Sequence, residues 1–174
     1  MDCVQIVLNV IEIIILAFTL YYAVRIPKII AAEQNKIALF DKRYEVFRFY
    51  EKCDAFSKAL ERTESEFEMR KNCNFCFGVH GEKTKLDEML LLLERLEYNS
   101  HQLYFLFPDI SDEDSKAMYL ALYHIIIQLV TTDKIAKRDV LAARNDYIST
   151  FKAFKLKYEE VIFKEIKLCE VDIK

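Results

Sequence analysis

The sequence predicts an all-α protein: one N-terminal transmembrane helix, followed by a cytoplasmic antiparallel bundle of about four helices. Gly 2 and Pro 2 among 174 residues are too few for the turns of a strand-rich fold. The run from Val4 to Val24 is apolar and long enough to cross a bilayer. Beyond it, apolar residues recur at spacings of three and four, the period of a helix. We therefore expect an anchor over residues 1–28 and a helical bundle over residues 29–174.

The N-terminal apolar run should insert into a membrane despite the acid at its centre. Its 13 Val, Ile, Leu and Phe residues favour insertion by roughly 4 to 8 kcal/mol, whereas Glu12 opposes it by about 2.5 to 3.5 kcal/mol. Tyr21 and Tyr22 occupy the place of an interfacial aromatic belt. A cleaved signal peptide would have a basic start and a small-residue cleavage site, and neither is present. A buried core helix is the remaining alternative.

The flanking charges predict the orientation. Arg25, Lys28, Lys36, Lys42 and Arg43 follow the run, and no basic residue precedes it. Because basic flanks stay in the cytoplasm, we expect a single-pass protein of the inner (cell) membrane with its N-terminus outside. Five cysteines, an odd number, do not form a disulfide framework and suit a reducing compartment.

A polar stripe follows one third of the predicted membrane helix. Its members are spaced three and four apart: Asp2, Gln5, Asn9, Glu12, Leu16 and Thr19. One helix alone cannot cover such a stripe in lipid, so it predicts a homo-oligomer or a membrane protein partner. A water-lined pore is a sharper version of this hypothesis. Alternatively the stripe arises by chance, with Glu12 protonated or reaching the interface.

The first half of the cytoplasmic part reads as one long helix and one loop. Pro27 should kink the chain where it leaves the membrane. Apolar residues at helical spacing then predict a helix from about Ile29 to Arg70, buried through Ile37, Phe40, Tyr44, Val46, Phe47, Phe49, Cys53, Phe56 and Leu60. Residues 72–81 hold both glycines and predict a loop.

The second half predicts three further helices. The first runs from about Glu82 to Phe107 and stops at Pro108, and Ser111 with Asp114 forms a variant capping box for the next. Thr132 or Asp133 can cap a last helix that reaches about Leu168. The expected inward residues are Leu86, Met89, Leu90, Leu93, Leu96 and Leu103, then Met118, Leu122, Ile125 and Leu129, and finally Tyr147, Phe151, Phe154, Tyr158 and Val161.

Cys73, Cys76 and His80 are the candidate metal ligands. Two thiolates and an imidazole suit zinc, which needs a fourth ligand such as Cys53 or His101. A lone CxxC is also compatible with redox exchange, although the βαβ context of thioredoxin-like proteins is missing. The third interpretation is that these are ordinary loop residues and that the protein has no cofactor.

Other classes of function lack their signatures. The net charge of −3 gives no basic face for nucleic acid. Phosphate-binding glycine loops, HExxH and the Glu-x-x-His pairs of di-iron bundles are absent from the sequence. No catalytic residue can be named, and the enzyme question stays open with no motif in its favour.

Two segments, Ile37 to Phe47 and Leu103 to Phe107, resemble a broad group of uncharacterised bacterial proteins. Those proteins have a single N-terminal membrane helix, an "LFxKRxxVY"-like segment and an "FLF" element in a helical domain. The resemblance implies a bacterial inner-membrane protein with a cytoplasmic helical domain and assigns no activity.

Three functions follow as hypotheses. The first is a membrane-tethered helical scaffold or signalling protein that assembles through its transmembrane helix, as a homo-oligomer or with a membrane partner. The second is an effector that perturbs the membrane, as in anti-phage defence. The third is a metal-binding or redox regulator that uses the Cys73, Cys76 and His80 segment.

Overall fold

A computed structural model describes residues 3–78, 86–130 and 137–172, with side chains for 10–78, 88–130 and 139–167. Five helices follow one another: α1 (Cys3–Glu61), α2 (Glu66–Phe77), α3 (Leu86–Leu106), α4 (Asp112–Val130) and α5 (Lys137–Asp172). Within these ranges all regular structure is helical, which confirms the all-α prediction. The total of five equals the predicted anchor plus four, but the division differs: the apolar run and the first bundle helix form a single helix, and α2 is separate.

Helix α1 is continuous over 59 residues and passes through Pro27. A proline has no N–H, so the carbonyl of Ala23, four residues earlier, loses its helical hydrogen bond there. Every side chain from residue 10 to residue 39 is exposed, and Val46 is the first that is buried. The N-terminal part of α1 therefore projects from the bundle, and only its C-terminal part packs against the other helices.

The predicted helix from Ile29 to Arg70 is interrupted at residues 62–65. Helix α1 ends at Glu61, and Ser65 has an extended backbone at the N-cap of α2 (φ −79°, ψ 125°). The guanidinium of Arg144 in α5 donates to the carbonyls of Leu60 at 2.8 Å and Glu61 at 3.4 Å. These carbonyls are among the four that a helix C-terminus leaves without a helical partner. The Thr63 N–H also donates to the Leu60 carbonyl at 3.4 Å, so the following turn and a residue 84 positions away together satisfy this end of α1.

The prediction of a loop over residues 72–81 was wrong for residues 72–77, which belong to α2. Met69, Cys73 and Cys76, at spacings of four and three, form its buried face. The helix stops at Gly78, whose φ of 74° favours glycine and whose N–H donates to the carbonyl of Asn74 at 2.7 Å. Residues 79–81 of the predicted loop lie outside the described residues.

The capping box predicted before α4 is present in an altered form. The N–H of Asp114 donates to the Ser111 hydroxyl at 3.1 Å, as predicted. The reciprocal contact passes through Tyr158 of α5: the Ser111 N–H donates to the Tyr158 hydroxyl at 3.2 Å, and that hydroxyl donates to the Asp114 carboxylate. One tyrosine therefore joins the start of α4 to α5.

Helices α1 and α5 pack antiparallel along an aromatic core. Near the C-terminal end of α1, the Tyr147 hydroxyl donates to the Cys53 carbonyl at 3.0 Å. Further toward the N-terminus of α1, the ring of Phe47 lies 5.4 Å from that of Phe163, which comes later in α5. All predicted inward residues of α4 are buried. Five of the predicted residues differ: Ile37, Tyr44 and Leu90 are exposed, and Phe40 and Val161 are half-buried, with Ile162 in the core instead of Val161. The side chain of Leu86 lies outside the described ones.

Candidate functional site: the exposed face of α1 and the buried cysteines

The apolar part of α1 is the one candidate membrane span in the described residues. It is long and apolar enough to cross a bilayer, and 0% of its apolar window is buried. Ile13, Leu16 and Leu20 are 65%, 64% and 71% exposed. A core helix of a soluble protein would bury such side chains against its own fold, so the buried-core alternative does not describe this helix.

The predicted polar face lies on this exposed part of α1. Glu12 and Thr19 are both exposed, and the side chains of Gln5 and Asn9 are outside the described residues. The Thr19 hydroxyl donates to the Ile15 carbonyl of its own helix at 2.8 Å. Among the described residues, the Glu12 carboxylate has no hydrogen bond or ion pair. Glu12 is therefore the residue of this face that most needs a partner in lipid.

The stripe does not end at Thr19, and the sequence analysis missed this extension. Because α1 continues without a break, the alternation of three and four residues persists into its C-terminal half. Two series of positions, each spaced by seven, form one stripe that drifts by about 20° per heptad on a straight helix: 9, 16, 23, 30, 37 and 44, and 5, 12, 19, 26, 33 and 40. The signal was present in the sequence, but it was divided between two segments treated as separate helices. We call this stripe the seam.

Between the apolar run and the bundle, residues 29–39 form an exposed segment that we call the stalk. Here the seam is apolar: Ile30 is 50% exposed and Ile37 is 48% exposed. Glu33 interrupts it, and Lys36 pairs with Glu33 at 3.4 Å. In water, these two isoleucines leave apolar surface that nothing in the described chain covers.

The seam continues into the bundle through a row of aromatic rings. The rings of Phe40 and Tyr44 stack with centroids 6.0 Å apart, and Phe47 follows 6.4 Å beyond Tyr44. Phe47 is buried and meets Phe163 of α5 edge-on at 5.4 Å. The same face of α1 is therefore exposed along the stalk and covered by α5 in the bundle.

Three cysteines lie in the core of the bundle rather than on a loop. Cys53, Cys73 and Cys76 are free thiols and are all buried. Burial raises the pKa of all three, that of Cys73 to about 12. Metal ligation and thiol exchange both need the thiolate, which burial in apolar surroundings disfavours. The described residues contain no group of three His, Cys, Asp or Glu side chains placed to hold a metal. His80 lies outside them, so the zinc site stays a prediction.

The most perturbed carboxylate is structural. Hydrogen bonds from Lys157, at 2.6 Å, and from Tyr158 and Ser111 lower the pKa of Asp114 to about 2. His101 faces Glu97 at 3.9 Å, and His124 contacts Gln128 at 3.3 Å. The first pair lies within α3 and the second within α4, and neither suggests an acid–base catalyst. Comparisons with protein-family models, curated proteins and solved structures find no match for this chain.

Proposed function

We propose that this protein is a membrane-tethered, non-enzymatic interaction protein that pairs with a second copy of itself along the seam of α1. The observation that supports this proposal is a stripe along one exposed helix whose positions alternate by three and four, polar up to Thr19 except at Leu16 and apolar beyond it except at Glu33. An apolar repeat of this spacing is the pattern of a left-handed coiled coil. The seam is polar where the helix would lie in lipid and apolar where it would lie in water.

Each half of the seam is unfavourable in its own surroundings when the helix is alone. In lipid, Glu12 has no described partner, and an ionisable side chain there costs at least about 2.5 kcal/mol. A second copy places Glu12 beside its counterpart, so that neither polar side chain is surrounded by lipid alone. In water, burial of the exposed halves of Ile30 and Ile37 favours the same pairing.

Charges beside the seam favour a parallel arrangement with no offset between the copies. In a parallel coiled coil, the residue at heptad position g meets the residue at position e of the next heptad on the other chain, five positions later. Here the core position a is occupied by Ile37, so position g is Lys36. Lys36 and Asp41 have this relation, which gives two symmetry-related contacts of opposite charge. A parallel pair also follows from a shared membrane orientation. Glu33 lies at a core position, where Lys36 of its own chain supplies the opposite charge.

The same proposal includes topology. The basic residues that follow the apolar run support an N-terminus outside and a cytoplasmic bundle in the cell membrane. The free thiols of the core are consistent with a reducing compartment. The bundle is then held away from the membrane by the stalk: 22 residues separate Val24 from Val46, about 33 Å of helix. This placement suits a domain that presents its surface to cytoplasmic partners.

Disulfide cross-linking in native membranes tests the pairing and its register. Ile37→Cys places a thiol on the seam, and Asn35→Cys places one on the opposite side of the same helix. Both variants are made in full-length protein in which Cys3 and Cys169 are serine, so that the remaining native thiols are the buried ones. We expect mild oxidation to give a covalent dimer for Ile37→Cys and little for Asn35→Cys.

Two further variants separate the membrane half of the seam from chance proximity. Glu12→Leu should reduce the dimer formed through residue 37, and Ile14→Leu, on the side of the same turn away from the seam, should leave it unchanged. Equal cross-linking at residues 35 and 37 would refute the seam. A reporter fused after Lys174 that is active only when exported would refute the orientation.

A further inference from the structure

A cavity of about 570 Å³ lies where the C-terminal half of α1, the end of α2 and α3 meet. This volume is within the range of about 300–1,000 Å³ that small-molecule sites occupy. The cavity is separate from the seam. We call it the basic pocket, because Arg48, Lys52 and Arg95 line it.

The three cations of the basic pocket have no ion pair or hydrogen bond with any described residue. Glu45 is the single acidic side chain in its lining, so cations outnumber acids by three to one. Elsewhere on the bundle, three lysines of α5 pair with acids of another helix, as Lys155 does with Asp54 at 2.8 Å. Three unpaired cations around one concave surface repel each other and favour an anion between them.

The wall of the basic pocket contains an unsatisfied polar group. Asn99 is only 9% exposed, and its amide oxygen has no hydrogen-bond partner. A buried acceptor left unpaired costs about 1–3 kcal/mol. That oxygen is shielded from solvent, so a ligand in the cavity that offers an N–H or O–H recovers this cost once the Asn99 amide turns toward it. The need for a donor is independent of the need for an anion.

The remaining lining is apolar. Phe49 and Leu96 are buried, and Phe77 is half-buried with its ring edge-on to Phe56 at 5.3 Å. Three cations, aromatic and aliphatic walls, and one amide together match a molecule with a charged group, a flat apolar body and a polar edge. That combination describes a nucleotide better than it describes a free phosphate ion.

We propose that the basic pocket binds a soluble nucleotide: Arg48, Lys52 and Arg95 neutralise its phosphates, and Asn99 reads a donor on its base. A lipid headgroup fits less well, because Arg48 lies 24 residues beyond Val24, about 36 Å along the helix. If the bundle presents its surface to partners, nucleotide binding at the junction of α1, α2 and α3 is placed to alter that surface. The binding itself does not depend on the pairing of α1.

The test uses full-length protein in discs of neutral phospholipid and measures equilibrium binding of ATP, GTP, CTP and UTP at physiological salt. We expect saturable binding of at least one of the four. Its nucleoside and inorganic tripolyphosphate should each bind at least about tenfold more weakly, because each supplies only part of the recognition. Arg48→Gln and Arg95→Gln should each weaken binding by about tenfold, the loss expected for one charge-assisted hydrogen bond.

Arg62→Gln is the matched control, since Arg62 is exposed and lies outside the pocket. It should leave the dissociation constant within about twofold of the wild type, because salt screens distant surface charges. Thermal unfolding should be unchanged in all three variants, whose arginines have no partner to lose. No saturable binding of any of the four nucleotides would overturn the proposal. So would tripolyphosphate binding as tightly as the nucleotides, or discs of anionic lipid competing the nucleotide away.

Discussion

The stalk should contribute measurably to self-association, and Ile37→Ala is the sharpest perturbation of it. Ile37 is 48% exposed in the single chain, so about half of its side chain remains to be buried by a partner. Complete burial of an isoleucine is worth about 1.5–3 kcal/mol. The uncovered half is then worth about 0.7–1.5 kcal/mol per chain, and both copies lose it in the variant. The expected total of about 1.5–3 kcal/mol weakens the dimer by roughly 10- to 150-fold.

Leu39→Ala is the matched control, because it also removes an exposed apolar side chain from the stalk. Leu39 is 41% exposed but lies two residues away, far from the seam. Alanine favours the helix in both variants, so helix propensity should not distinguish them. The assay is energy transfer between labelled full-length chains as they are diluted with lipid. Equal dissociation constants for the two variants would show that the stalk stripe is not an interface.

Three further predictions concern the stability of the bundle, measured by urea unfolding of the full chain in detergent with far-UV circular dichroism. Arg144→Met should destabilise the bundle by about 1.5–3 kcal/mol, because charged hydrogen bonds to the last carbonyls of α1 are lost. The control Lys152→Met breaks an exposed ion pair and should cost under about 1 kcal/mol. Equal effects of the two variants would contradict the capping role of Arg144. Cys73→Ser should be clearly more destabilising than Cys73→Ala, because it buries a hydroxyl at a cost of about 1–3 kcal/mol; a solvent-facing loop residue would show no difference. Because the pKa of Asp114 is lowered to about 2, its contribution to the free energy of unfolding is complete above its ordinary pKa of 3.8 and is lost as pH falls from there through 2. Asp114→Asn should remove this part of the acid sensitivity, and Asp109→Asn should retain it. An unchanged dependence of stability on acid pH in Asp114→Asn would refute the assignment.

Apolar periodicity was enough to predict the helices whose burial is set by a single face. In α4 it selected Met118, Leu122, Ile125 and Leu129, all of which are buried. It failed at residues 62–65, where the end of α1 depends on Arg144, a side chain supplied from the other end of the bundle. No local signal reports a capping residue that is 84 positions distant. Helix boundaries set by tertiary contacts are therefore the part of this fold that periodicity cannot predict.

The cysteine segment shows a different failure. Two glycines and a CxxC were read as a loop, whereas Cys73 and Cys76 continue the apolar spacing that begins at Met69. Cysteine behaves as a small apolar residue when buried, and counting it so would have extended the helix to Phe77. The basic pocket was beyond sequence reasoning for another reason. Arg48 and Arg95 are far apart in the chain, and only the packing of α1 against α3 brings them to one cavity.

The proposed pairing has a geometric limit that the aromatic row defines. In the stalk, paired helices would lie about 8–10 Å apart with their seams facing. At Phe47 the same face is covered by Phe163, so α5 occupies the space that a second α1 would need. A helix with its side chains is about 10–12 Å wide, so both cannot fit there. The two α1 helices must therefore separate after Tyr44, where the seam is last exposed. Pairing of the stalk would thus fix the direction in which each bundle leaves the axis, because α1 continues without a break from one region to the other.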